Sequence, residues 1–182
     1  EARIVDAARV QLDGVDEPDV VATFTARMPI YVIAELLGLP HERWEWLKES
    51  SGHIANLLEA FSPFDPVETN RRFDDLREYF GDIAEQRRRS PQDDLISELV
   101  VAEDGDVLTN DEVVSMIGFL MFAGHETTTG LLGNSIVALA KFPDQRALLR
   151  SQPVLIDNAV EERLRFDPPV KVAYRLALQT RE

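Results

Sequence analysis

From residue 110 to residue 141 the chain runs without a proline, from Thr109-Asn110-Asp111-Glu112 at one end to Phe142-Pro143 at the other. Thr109 and Glu112 form a capping box: the hydroxyl can hold the first free amides of a helix while the carboxylate reaches back three positions. A helix over this span measures roughly 48 Å at 1.5 Å per residue, which makes it the axis of whatever forms around it. Between Val113 and Gly124 it is apolar around its whole circumference, a pattern that predicts burial on every side.

The remaining sequence has apolar residues at three and four spacing, with Pro and Gly as punctuation, and predicts an all-α single domain over residues 1–182. A first helix is expected over about residues 1–13. A second apolar stretch carries Phe24, Ile30, Ile33, Leu36 and Leu37 and stops at Gly38-Leu39-Pro40. Helices over about 41–60 and 67–89 follow, the latter placing Phe73, Leu76, Phe80 and Ile83 on one side. Arg87-Arg88-Arg89 then closes that helix as a solvated end, where cations suit the dipole. A short helix through Leu95, Ile96, Leu99 and Val100 precedes the long one. Helices near Leu148-Leu149 and over 153–165 come after it, and residues 172–177 form a short β segment near the C-terminus.

With 45% hydrophobic residues such a chain can build a core. Its formal net charge of −14 repels phosphate backbones and anionic lipid, so neither nucleic acid nor a membrane surface is an expected partner. No apolar run approaches the ~20 residues that a bilayer demands, and no signal peptide is visible, so the expected localisation is cytoplasmic. The chain opens with Glu1 in mid-helix, and its natural N-terminus is expected to lie upstream. It contains no cysteine, which excludes a disulfide scaffold, a thiolate metal site and a cysteine nucleophile within it.

The chemistry-bearing segment is Ala123-Gly124-His125-Glu126-Thr127-Thr128-Thr129-Gly130, in the middle of the long helix. Each glycine costs a helix ~1 kcal/mol relative to Ala, and three β-branched threonines weaken it further. Two readings fit. One is a kinked core helix with a satisfied polar patch. In the other, Gly124 lets a flat ligand or a second backbone approach, a Thr hydroxyl bonds back to a carbonyl and opens the helix, and Glu126 and Thr127 relay protons there. Zinc-protease chemistry fails because the second histidine of that motif would fall on Thr129, leaving His41 and His53 as isolated residues. Near the other end, Glu162 and Arg165 share a helix face and can pair.

Ala-Gly-His-Glu-Thr-Thr on a long helix, followed in order by Glu-Glu-Arg-Leu-Arg-Phe-Asp-Pro-Pro-Val at 161–170, resembles the haem-thiolate monooxygenases of the cytochrome P-450 family, most closely the soluble bacterial class. Residues 28–40 resemble the family's segment ahead of the substrate-covering helices. The resemblance implies the central helical portion of that fold, with Glu126 and Thr127 as the acid–alcohol pair that delivers protons to dioxygen. Ala123 and Gly124 then leave room over the haem, and Phe119 and Phe122 face a small organic substrate. Glu162 and Arg165 become the structural ion pair beneath the haem, Arg175 a propionate ligand, and Val170 to Ala173, Val172 included, the pocket wall beside it. It also implies haem as cofactor and a ferredoxin-like electron donor for the complete protein. The cysteine that ligates the iron is expected downstream of this chain, which would then bind no haem normally and be inactive alone. Two other readings stand beside this one: a catalytically silent relative acting as a binding or activating partner, and a plain helical interaction module. A central portion standing alone would expose Ile117, Phe119, Leu120 and Phe122, so a homo-oligomer through the long helix is expected.

Overall fold

The computed structural model describes residues 2–13, 19–58, 65–104 and 108–172, which fall into two compact units, Glu1–Thr129 and Gly130–Glu182. In the first unit the helices are α1 (Ala2–Asp13), α2 (Met28–Leu36), α3 (Trp44–Leu58), α4 (Pro66–Arg89), α5 (Leu95–Asp104) and the start of α6 (Asn110–Lys141). A π-helical turn, Val21–Thr25, precedes α2, and a 3-10 turn, His41–Arg43, leads into α3.

Local chemistry accounts for the starts of the long helices. Asp65 caps α4 by accepting from the amides of Val67 and Glu68, with Pro66 in the first turn, where its missing N–H costs nothing. The Thr109–Glu112 box forms as expected: the Thr109 amide donates to Glu112 Oε2 at 2.8 Å and the Glu112 amide to Thr109 Oγ1 at 3.3 Å. The capped helices converge on one core made of Ile30, Ala34 and Leu37, Trp44 and Leu47, Leu76, Phe80 and Ile83, Ile96 and Val100, and Val113, Ile117 and Met121.

One charged residue belongs to that core. Arg87 lies three and seven positions after the buried Ala84 and Phe80, so it faces inward, and its side chain is 7% exposed. The expected solvated helix end is therefore corrected at this position; Arg89 is exposed and Arg88 half-buried, each paired with Glu85. Arg87 Nε donates to Asp94 Oδ2 at 2.6 Å, and a second guanidinium N–H donates to the Gly38 carbonyl at 2.8 Å. Asp94, 2% exposed, also accepts from the amide and hydroxyl of Ser97. Gly38 has φ 68°, and a Cβ there would fall on the Asp94 carboxylate. The ends of α2 and α4 and the start of α5 thus meet at one buried charge pair.

One expectation about burial is also corrected: α6 is buried along one side only, with Met116 and Phe119 exposed, Phe119 at 63%. Phe73 lies on the side of α4 that carries Leu76 and Phe80, as expected, and is itself exposed. The α2, α3 and α4 side chains pack against one arc of α6 within this unit, and apolar residues beyond that arc stay open. In the second unit, the end of α6 is followed by α7 (Pro143–Ser151), a 3-10 turn (Pro153–Leu155) and α8 (Ile156–Phe166). Phe142 meets Phe166 edge to face, Arg163 donates to the Asn134 carbonyl, and Asn134 donates to the Asp167 carbonyl. Among the described residues no strand is present and no helix is long and apolar enough to cross a membrane. The β segment expected over 172–177 lies outside the described residues from Ala173 onward.

Asp94→Ala leaves the Arg87 guanidinium buried and uncompensated, and is expected to cost about 3–5 kcal/mol in urea unfolding. Gly38→Ala should also lower the midpoint, since it adds backbone strain and displaces the same carboxylate. Burial pushes the Asp94 carboxyl up, but the Ser97 donors and Arg87 outweigh it and hold the group below its ordinary value. A depressed folded-state value stabilises the fold above the ordinary carboxylate range and is lost as pH falls through it. Wild-type stability should therefore decline on acidification more steeply than that of Asp94→Ala, a difference that unfolding curves at several pH values will detect.

Candidate functional site

Successive residues of an α-helix advance about 100°, so Val113, Val114, Ile117, Met121 and His125 form one seam while Met116, Phe119, Ala123 and Thr127 lie toward the opposite side. The first set is buried throughout. The polar segment is thus split, with His125 facing the core and Thr127 facing away from it.

Thr127 Oγ1 donates to the Ala123 carbonyl at 2.7 Å, the back-bond expected from the sequence. The expected local opening of the helix is absent: α6 is unbroken from Asn110 to Lys141. A carbonyl oxygen has two lone pairs, so the hydroxyl can be accepted in addition to a main-chain amide. Gly124 allows a close approach: a Cβ there would come 3.1 Å from Ile33 Cγ1, so the space beside it is taken by a side chain of α2. Gly130 does the same in the second unit, where a Cβ would meet the Pro169 ring at 2.9 Å.

His125 is 3% exposed and fully bonded. Its Nε2 lies 3.1 Å from the Ala26 carbonyl oxygen and its Nδ1 lies 3.1 Å from Ser51 Oγ. Glu126 Oε1 is 3.3 Å from both the Ser51 hydroxyl, which donates to it, and His125 Nδ1. Burial pushes the imidazole below its ordinary pKa; Glu126 and the Ala26 carbonyl pull it up, and Lys48 pushes it down. Ser51 escaped the sequence reading, although a signal was present. It stands one helical turn after Leu47 on the apolar face of α3, and a hydroxyl buried there needs a partner.

Ser51 also lines a cavity of about 400 Å³ between α3, α4 and α6, whose walls are mainly Leu47, Phe73, Phe80, Met121, Phe119 and Phe122, with Asp74 and Arg77 at its margin. Gly118 lies beside Phe80 there, with room for a Cβ in ordinary contact at 3.6 Å. Phe119 and Phe122, picked from the sequence within the turn before Ala123, thus share one apolar cavity. In the second unit Glu162 and Arg165 pair through two hydrogen bonds of 2.7 Å at 55% and 70% exposure. Val170 and Val172 are exposed, and Ala173 and Arg175 lie outside the described residues. Among the described residues no group of His, Cys, Asp and Glu could hold a metal ion.

No protein-family model matches the sequence. Individual relatives do. The chain is 41% identical over 178 residues to a vitamin D(3) 25-hydroxylase of Pseudonocardia autotrophica, covering 95% of this chain and 43% of that protein. It is 35% identical over 168 residues to a biotin biosynthesis cytochrome P-450 of Bacillus subtilis, covering 92% and 42%. Among solved structures, Mycobacterium smegmatis CYP164A2 with econazole bound superposes with a TM-score of 0.85 at 32% identity, over 93% of this chain and 45% of that one. The chain therefore spans less than half the length of the relatives it matches.

The exposure of Glu162 and Arg165 yields a prediction. Arg165→Ala and Glu162→Ala should shift the urea midpoint of this chain no more than a neutral surface substitution does, because solvent screens the pair from both sides. A double-mutant cycle measures the coupling directly; a large value would mean that the pair is shielded from water.

Proposed function

The chain belongs to the cytochrome P-450 family, and we propose that it forms the central helical part of a haem-dependent monooxygenase that uses Glu126 and Thr127 to deliver protons during oxygen insertion. The observation that carries this reading is their placement, one to two turns along α6 from Phe119 and Phe122, which line a single apolar cavity. The overall reaction takes a substrate C–H, dioxygen, two electrons and two protons, and returns an alcohol and water. The substrate is a small organic molecule, and the electrons come from a ferredoxin-like donor.

The open side of α6 suits the face of a planar macrocycle. Ala123 puts only a methyl group between Phe119 and Thr127, and the Thr127 hydroxyl is already turned onto the helix by its bond to the Ala123 carbonyl. Ala123 and Thr127 are the residues that would lie against haem here, and Arg175 is the candidate for a propionate. When bound, haem supplies the activation of dioxygen; its thiolate ligand cannot come from this chain, which has no cysteine. Thr127 keeps its lone pairs free to accept a proton and returns one by releasing the Ala123 carbonyl. Glu126, partly exposed and next in sequence, is the acid that reprotonates it. The phenyl rings of Phe119 and Phe122 make the substrate side apolar, which limits proton leakage outside this route.

In the complete haem-loaded protein, Thr127→Ala should leave substrate binding nearly intact while diverting electrons to peroxide. Unchanged coupling of electron consumption to product removes Thr127 from the proton path. Hemin added to the present chain should give no thiolate-type Soret band in the reduced carbon-monoxide difference spectrum. Such a band would show an iron ligand of a kind that the sequence does not contain.

A further inference from the structure

His125, Ser51 and Glu126 form a triangle with every edge within hydrogen-bond reach: Nδ1 to Ser51 Oγ at 3.1 Å, Nδ1 to Glu126 Oε1 at 3.3 Å, and Ser51 Oγ to Oε1 at 3.3 Å. Counting protons shows what this arrangement lacks. The other ring nitrogen, Nε2, faces the Ala26 carbonyl, which has no hydrogen to give, so Nε2 carries the ring proton. The neutral ring then presents only a lone pair at Nδ1, and an ionised Glu126 presents only lone pairs as well. Three edges share one hydrogen, that of the Ser51 hydroxyl. Directed at the carboxylate, it leaves Nδ1 facing two oxygens with no hydrogen between them. Directed at Nδ1, it leaves the ring and carboxylate lone pairs opposed. His125 and Ser51 are buried, so for them both arrangements are costly.

One added proton resolves the conflict in two ways. On Nδ1 it makes an imidazolium that donates to Oε1; on Oε1 it makes a neutral acid that donates to Nδ1. We propose that Ser51, His125 and Glu126 are a single proton-sharing unit, in which His125 is a second holding position for the proton of Glu126 and Ser51 is the positioning residue that couples the two. Uptake of one proton from water forms one N–H or O–H bond and takes the unit from a charge of −1 to zero; release is the reverse, with rotation of the hydroxyl. That the held proton serves oxygen chemistry rests on the acid–alcohol reading of Glu126 and Thr127; that it is shared does not.

The surrounding charges are few. Lys48 on α3 faces the ring's side and is itself 3.4 Å from Glu45. Arg27, beside Ala26, is directed at Glu45 at 3.9 Å. Neither donates to Nδ1 or Oε1, so the triangle's proton count stands on its own three members.

The test is a titration of the present chain, without haem, followed by NMR of ring-15N histidine, with the His125 signals assigned through His125→Gln. The alkaline spectrum should show the Nε2–H tautomer. Glu126→Gln should lower the ring's titration midpoint by about one pH unit, a roughly tenfold loss of proton affinity, because the carboxylate that favours the imidazolium is gone. Ser51→Ala should raise it, because the lone pair loses its donor and the imidazolium then meets Glu126 directly, while Ser51→Thr keeps the wild-type midpoint. His41 and His53 serve as controls whose signals stay in place. An Nδ1–H tautomer at alkaline pH, or a midpoint that either Glu126→Gln or Ser51→Ala leaves unmoved, overturns the proposal. Should Ser51→Ala fail to fold, the tautomer and Glu126→Gln decide alone. None of these results depends on the peroxide yield of Thr127→Ala, so failure here and failure of the proton-delivery reading are separate outcomes.

Discussion

The first unit is organised around a charge that cannot be left alone. Arg87 is drawn inside because it continues the face that buries Phe80, Ile83 and Ala84, and once inside its guanidinium has to be paired. Asp94, arriving after a turn of a few residues, supplies the countercharge, and the Gly38 carbonyl takes a second N–H. Such a pair adds little net stability compared with an apolar isostere of the same shape, but it tolerates few alternative geometries. The end of α2, the end of α4 and the start of α5 are thereby fixed to one another. Ile33 on α2 is then placed to receive α6 at Gly124, where a side chain would crowd it, and Phe80 on α4 lies beside Gly118. The position of Glu126 follows from contacts that begin at this ion pair.

Along α6 the same short polar segment serves two environments. His125 faces the core and is satisfied by groups from elsewhere in the chain, the Ala26 carbonyl and the Ser51 hydroxyl. Thr127 faces away and is satisfied within its own helix by Ala123. Glu126 lies between them, bonded on the inner side and partly open to solvent. The helix propensity lost to glycine and threonine is therefore recovered as packing against α2 on one side and as an uncrowded surface on the other.

Much of this was legible from local rules. The Thr109–Glu112 box, the start of α4 within a residue of Val67, the extent of α6 and the Thr127 back-bond rest on local signals, and a chain read in one dimension contains them. That Phe119 and Phe122 face a common apolar space was implied by the family resemblance, and both line one cavity. Arg87 was misread because a run of three cations reads as solvated unless the register of the apolar face is followed to its end. The burial of α6 on every side was overestimated because apolar residues mark what could be covered, and only neighbouring elements settle what is.

The sequence by itself determined the helices, the Thr109–Glu112 cap and the family, since each rests on spacing along the chain or on the order of motifs. Tertiary structure alone decided that Ser51 reaches Glu126 from 75 residues away, that His125 turns to the Ala26 carbonyl, and that Gly124 admits Ile33. The physical reason is that hydrogen-bond satisfaction and close packing are conditions on where groups meet in space. Residue types state what each group requires, and only the folded chain determines which distant group supplies it.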